Sequence, residues 1–203
     1  MLIDLGYLIQ QYNLKIKGIL HVGANECEEL SIYESNGIPR SSIIWLEGNR
    51  HTVDRTRNRV PNVYHVLVSD VEEEVDFIIT NNLHSSSILE LDEHKKEHPW
   101  VFEVAREKQK TKRIDTFLCE NDIPISFNFL NLDIQGAELK ALQSMERHLN
   151  QIDYIYTEVN IKHLYKDCPL LSDIDSYLKG FGFVRLDTRM TQNGWGDAFY
   201  YKM

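Results

Sequence analysis

Apolar side chains fall in short blocks along this chain, each closed by a glycine, a proline or a carboxylate. Residues 18–22, 43–47, 127–133 and 154–159 are nearly continuous in aliphatic and aromatic side chains. Runs of that length, bounded by turn residues, predict strands buried on both faces. Residues 63–68 and 74–80 alternate apolar with more polar positions, which predicts two further strands. Polar stretches with helical spacing predict helices over 27–35, 50–59, 113–121, 136–145 and 171–179. A short amphipathic helix over 2–12 is expected to cover the edge of the sheet. Residues 183–186 and 198–201 predict two closing strands, the second returning antiparallel beside its predecessor. Strands alternating with helices imply an α/β fold, one mostly parallel sheet with helices on both faces. One domain over residues 1–203 is expected, with 1–15 as its helical N-terminal part. Ligands of such sheets lie at the carboxyl ends of the strands. That rule sets Gly23, Glu47, Asp70, Asp133 and Glu158 around one crevice.

The first two strand ends carry chemistry. Ile19-Leu20-His21-Val22 breaks at Gly23 into Ala24-Asn25-Glu26, and Glu47 closes the second strand. A glycine there is expected to admit a ligand closely, and an acid at the next strand tip can accept bonds from both ribose hydroxyls. The two residues are 24 apart, close to the roughly 20 of nucleoside half-sites. Residues 23–28 read Gly-Ala-Asn-Glu-Cys-Glu, not Gly-x-Gly-x-x-Gly. Glu26 and Glu28 at the helix start would repel a pyrophosphate and suit a ligand carrying an ammonium and a sulfonium. The pattern favours S-adenosyl-L-methionine over NAD.

Composition narrows the partners. At 203 residues, 42% hydrophobic and 26% charged, the chain reads as globular and soluble, and no apolar run approaches the ~20 residues of a membrane span. Asp4 interrupts the first apolar stretch, and no basic leader or cleavage site follows, so no signal peptide is expected. A net charge of −9 argues against nucleic acid as partner. The basic cluster Lys108, Lys110, Lys112 and Arg113 reads as a solvated strand or loop. Cys27, Cys119 and Cys168 are odd in number and far apart, which suggests free thiols in a reducing, cytoplasmic setting.

A second strand–turn–helix signal lies at Leu132-Asp133-Ile134-Gln135-Gly136-Ala137-Glu138. With His21-Val22-Gly23-Ala24-Asn25, Trp45-Leu46-Glu47-Gly48-Asn49, Arg113-Ile114-Asp115-Thr116-Phe117-Leu118 and Tyr156-Thr157-Glu158-Val159, it resembles the FkbM-type family of S-adenosylmethionine-dependent O-methyltransferases. The resemblance runs from about residue 16 to the C-terminus. It implies a Rossmann-like methyltransferase fold, a seven-stranded sheet with an antiparallel C-terminal strand. It also implies that Gly23, Ala24 and Asn25 surround the methionine part of the cofactor, Glu47 the ribose, and Ser69 and Asp70 the adenine. His21 stands where the family often has an acid, and Gln135 where glutamate is common. The serine loop 83–87, with Ser86, resembles a family loop whose hydroxyls bond cofactor or acceptor.

Asp133 is the first candidate for general base or acceptor orientation, and Glu158 the second. His163 and His84 are alternatives because histidine titrates near neutrality. Helix capping is the structural reading of Asp133. His94 and His98, four apart, read as a solvated helical face and not as metal ligands, since spacing fixes no third ligand. Gln135 adjoins the presumed reaction centre, and Trp195, between two glycines, offers a face to a sugar ring. The expected activity is O-methylation of a sugar hydroxyl in a glycan, a deoxyhexose such as rhamnose being one acceptor. Methylation of a non-sugar metabolite and a noncatalytic cofactor-binding module beside a glycosyltransferase stay open. A chain of this size also fits one domain of a larger glycan-building protein.

Overall fold

The computed structural model describes residues 1–123 and 126–203. Its strands are β1 (Ile19–Val22), β2 (Ile43–Glu47), β3 (Val63–His65), β4 (Leu67–Val68), β5 (Glu74–Thr80), β6 (Glu103–Lys112), β7 (Phe129–Leu132), β8 (Tyr154–Asn160), β9 (Phe183–Met190) and β10 (Trp195–Lys202). The helices are α1 (Leu5–Tyr12), α2 (Leu30–Ser35), α3 (Arg50–Thr56), α4 (His94–Glu97), α5 (Ile114–Asn121), α6 (Glu138–Ser144) and α7 (Leu171–Lys179).

Seven strands form the main sheet in the order β3-β2-β1-β7-β8-β10-β9. β1, β2, β3, β7 and β8 run parallel, and β10 is antiparallel to both β8 and β9. The period of two sorts the central strands into two apolar faces. Leu20, Ile44, Leu130 and Ile155 pack with Ile114, Phe117, Ala141, Leu142, Ile174 and Leu178 of α5, α6 and α7. Ile19, Ile43, Trp45, Phe129 and Tyr154 pack with Leu5, Leu8 and Tyr33 of α1 and α2. Each such fully buried side chain contributes about 1.5–3 kcal/mol, so both helical layers are held by the strand pattern itself.

Three expectations need correction. Helix α1 covers a face of the sheet and not its edge: Tyr12 stacks on Phe199 with ring centroids 5.7 Å apart, and Asp4 caps the helix by accepting from the Tyr7 backbone N–H at 2.7 Å. The run 63–68 is not one strand. Val66 donates its N–H to the Glu47 carbonyl at 2.9 Å, and the chain then leaves the main sheet, so β4 pairs with β6 instead. Residues 74–80 do form a strand, but in a separate three-stranded sheet ordered β4-β6-β5. Its long member β6 carries charges at six of ten positions and shows no apolar alternation. It exists through pairing with β5 from Glu74↔Lys110 to Thr80↔Glu103. Lys108, Lys110 and Lys112 therefore sit on a solvated strand. Among the described residues no helix is long and apolar enough to cross a membrane.

Candidate active site

Strand order fixes the lateral order of the acids. Glu47 ends β2, Gly23 follows β1, Asp133 follows β7, Glu158 lies in β8 and Asp197 sits opposite it on β10. Adjacent strands are about 4.8 Å apart, so Glu47 and Glu158 stand roughly three strand spacings from each other. Gly23, Glu47, Asp133, Glu158 and Asp197 all line one cleft of about 400 Å³.

On the β1–β2 side, Glu47 is the fixed point. It is 9% exposed, and its two oxygens accept the backbone N–H groups of Asn25 at 2.8 Å and Asn49 at 2.6 Å. Burial raises its carboxyl above the ordinary value, and those backbone donors oppose the rise. Asn49 in turn caps α3, accepting from His51 at 3.0 Å and Thr52 at 3.3 Å. Gly23 has a task beyond the one its sequence suggests. Its φ is +88°, and a Cβ there would lie 1.7 Å from the Asp133 carbonyl oxygen. The glycine lets the ends of β1 and β7 touch, and it also lines the cleft.

The centre of the cleft is a hydrogen-bonded carboxylate pair. Gln135, in a left-handed conformation at φ 57°, donates from Nε2 to Asp133 Oδ1 at 2.6 Å and to Glu158 Oε2 at 3.0 Å. Its Oε1 accepts from the Tyr165 hydroxyl at 2.6 Å. Burial, then the carboxylates of Asp133, Glu138 and Asp197, push the Glu158 carboxyl well above the ordinary range. The protein packed around Asp133, and then Asp197, push its carboxyl up as well, though its side chain opens to the cleft and water there moderates the effect. Asp133 does not cap α6. Glu138 shapes that turn, accepting from Ile134 at 3.0 Å and Gly136 at 3.1 Å with one oxygen.

Glu138 is 1% exposed, and burial first lifts its carboxyl from 4.5 to about 7. Between those values the native chain keeps a proton that the unfolded chain has released. The associated stability is thus present below about pH 4.5 and lost as pH rises through about 7; Glu158 and Asp133 act in the same direction. Buried His21 and His94, lowered from 6.5 to about 4, act in the opposite direction up to about pH 6.5, so thermal midpoints should fall from pH 6.5 to pH 8. Glu138→Gln keeps the acceptor oxygen and should flatten that fall.

The structure brings His21, Gly23, Asn25, Glu47, Ser86, Asp133, Gln135, Glu158 and Trp195 to the cleft. His21 stands on its floor but is 1% exposed, with Nδ1 3.0 Å from the Tyr33 hydroxyl. Burial lowers its pKa to about 4, so it is neutral. The Ser86 hydroxyl accepts from the Thr80 backbone N–H at 3.1 Å. Four expected residues are not cleft-lining. Ala24 is buried beneath the turn. Ser69 bonds Asp70 at 3.0 Å, and Asp70 is drawn by Lys140 at 3.0 Å toward α6. His163 faces away and contacts the Cys168 carbonyl at 2.9 Å.

Sequence reasoning set Trp195 beside the acceptor but did not bring His94 and His98 to the same wall. His94, His98 and Trp100 line the cleft together with Tyr165 and Trp195. His94 is 5% exposed, so it is not part of a solvated helical face, and burial lowers its pKa to about 4. Its Nδ1 has no hydrogen-bond partner. The His94 ring centroid lies 4.8 Å from that of His98 and 5.4 Å from that of Tyr165, and His98 meets Trp100 edge-on at 5.4 Å. Among the described residues no group of three or more His, Cys, Asp or Glu is placed to hold a metal ion. Asp197, which accepts from the Tyr156 hydroxyl, was also missed; only its cross-strand register with Glu158 reveals it.

The methyltransferase FkbM domain matches residues 21–185. The chain belongs to the FkbM methyltransferase family. The 2-O-methyltransferase NoeI of Sinorhizobium fredii is 24% identical over 170 residues, covering 77% of this chain and 69% of NoeI. The FkbM methyltransferase structure from Methylobacillus flagellatus KT superposes with a TM-score of 0.56 at 14% identity, over 91% of this chain and 43% of that one. This FkbM-family chain thus spans less than half the length of that relative. Magnesium protoporphyrin IX methyltransferase from Synechocystis PCC 6803, solved with bound S-adenosylmethionine, gives 0.52 at 9% identity, over 97% of this chain and 75% of that one. The fold is the Rossmann-like methyltransferase fold, and the cofactor is S-adenosyl-L-methionine.

The residues present suit that cofactor. Each Glu47 oxygen has one backbone donor and a lone pair left for a hydroxyl. Leu46, Leu67, Phe77 and Ile134 give the same cleft an apolar lining for a base, and its acids complement a sulfonium and an ammonium. Glu47→Ala should weaken S-adenosylhomocysteine binding by about 1.5–3 kcal/mol, the contribution of hydrogen bonds to a charged group. Titration calorimetry measures this, and an affinity within two-fold of the unmodified protein would remove Glu47 from the cofactor site.

Proposed function

We propose that this FkbM-family chain O-methylates a hydroxyl of a saccharide within a glycan, a deoxyhexose such as rhamnose being one acceptor. The observation that carries the reading is the joined pair Asp133–Gln135–Glu158, which an aromatic and imidazole wall adjoins through Tyr165 in the same cleft. When bound, S-adenosyl-L-methionine supplies a methyl carbon activated by the sulfonium, which an acceptor oxygen displaces. Gly23 and Asn25 hold its methionine part, Glu47 its ribose, and Leu67, Val68 and Phe77 bound its base.

Glu158 takes the acceptor proton, because a carboxyl lifted toward the working pH is the more effective base. Asp133 orients the same hydroxyl, and Gln135 fixes the distance between the two acids. Trp195 packs against the ring through its indole, as pyranose C–H groups favour an aromatic face. The similarity to the 2-O-methyltransferase NoeI supports an oxygen acceptor. Incubation with methyl-labelled cofactor and a set of oligosaccharides tests the reading, with label expected in the saccharide. Label appearing in non-sugar hydroxyl compounds and in no saccharide would replace it.

A further inference from the structure

The cleft is lined by Glu29, Glu47, Asp133, Glu158 and Asp197, and no lysine or arginine side chain lines it. Of the lysines beside the acceptor wall, Lys95 and Lys96 of α4 are exposed to solvent and Lys162 is committed elsewhere. Its ammonium pairs with Glu97 of α4, and its methylenes lie where a Cβ on Gly194 would stand. Arg106 is held by Glu90 and Glu103, and Lys140 by Asp70. Proteins that hold phosphate or carboxylate groups do so with arginine, lysine or a helix N-terminus. Around His98, Trp100 and Trp195 the cleft offers aromatic rings and the carboxylates of Glu158 and Asp197 where such donors would be needed.

The wall that adjoins the carboxylate pair has the complementary character. His94 and His98 of the α4 segment, Trp100 after it and Trp195 at the start of β10 present rings to one space. His98 Nε2 lies 3.4 Å from Asn193 Nδ2 in the β9–β10 turn, and the backbone N–H of His94 donates to the Leu164 carbonyl at 3.0 Å. The wall is therefore seated on the same segment that carries Tyr165. The unpartnered Nδ1 of His94 is a polar atom in a buried residue on this wall.

Resting on the reading above, we infer that the acceptor is a saccharide without phosphate or carboxylate, docked over β8 and β10 against His98, Trp100 and Trp195. Sugars activated for transfer carry a nucleoside diphosphate, two charged phosphates that this cleft repels. The sugar accordingly reaches the protein after a glycosyl transfer has removed that group, and methylation follows attachment.

The experiment pairs each sugar with its charged forms. Neutral aryl α-glycosides of rhamnose and fucose are offered beside the corresponding 1-phosphates and nucleoside-diphosphate sugars, with methyl-labelled cofactor. The glycosides are expected to be methylated with kcat/KM at least 100-fold above the phosphorylated forms. Trp195→Ala is expected to raise KM for the glycoside at least ten-fold while S-adenosylhomocysteine affinity stays unchanged, a split that a folding defect does not produce. Equal or faster methylation of the phosphorylated sugars overturns this inference and leaves saccharide O-methylation standing. Methylation of non-sugar compounds alone, with neither sugar form labelled, overturns both.

Discussion

Gly23→Ala should cost the fold at least about 3 kcal/mol. Two costs add at this position. A side chain at φ +88° occupies a region where strain is about 1–3 kcal/mol. The new methyl group would also sit 1.7 Å from the Asp133 carbonyl oxygen, and overpacking of that kind typically adds 1–3 kcal/mol or more. Relief requires the ends of β1 and β7 to part. Those ends are joined by the Asp133 N–H donating to the Val22 carbonyl at 2.9 Å, so separation forfeits a buried bond as well. For a chain of 203 residues, ~3 kcal/mol corresponds to a fall in Tm of roughly 6–12 °C. Differential scanning calorimetry checks it. A fall below 2 °C would mean that the β1–β7 contact yields cheaply and that Gly23 has another role.

Glu158→Gln should lower kcat for methyl transfer by about 10²–10³-fold, within the usual range for loss of a general base. The amide keeps an oxygen for the Gln135 donor at 3.0 Å, so the geometry of the centre survives. What disappears is the group that takes the proton. S-adenosylhomocysteine affinity should stay within about three-fold, because Glu47 lies roughly three strands away. The rate of the unmodified protein should climb with pH as the raised carboxyl ionises, and the variant should lack that limb. Single-turnover assays across pH report both. A loss smaller than ten-fold with the limb intact would assign the proton to Asp133 instead.

The main sheet was legible because its strands are apolar on both faces. Ile43-Ile44-Trp45-Leu46 has few other ways to be buried, and its neighbours repeat the pattern. The second sheet was not, since β6 reads as a charged segment and owes its conformation to cross-strand partners distant in sequence. At the site, Glu47 and Asp133 were visible as acids closing apolar runs, a one-dimensional signal. Asp197 was not, for its place depends on β10 lying antiparallel to β8. His94 was misread because four charged or polar neighbours, Asp92, Glu93, Lys95 and Lys96, suggested solvent on every side. At Gly23 the sequence shows that a glycine is needed, but not that the Asp133 carbonyl is one neighbour that needs it.

Between β3 and α5 the chain makes a long excursion that meets the body at Leu91↔Tyr165, through the Ser87 hydroxyl donating to the Gln135 carbonyl, and through Lys162 paired with Glu97. Among the described residues none of its strands pairs with the main sheet. Insertions or deletions there can remodel the acceptor side while every strand of the main sheet keeps its partner. The architecture thus separates inheritance of the cofactor site from turnover of acceptor specificity, and lineages of this fold can change what they modify without relearning how to fold.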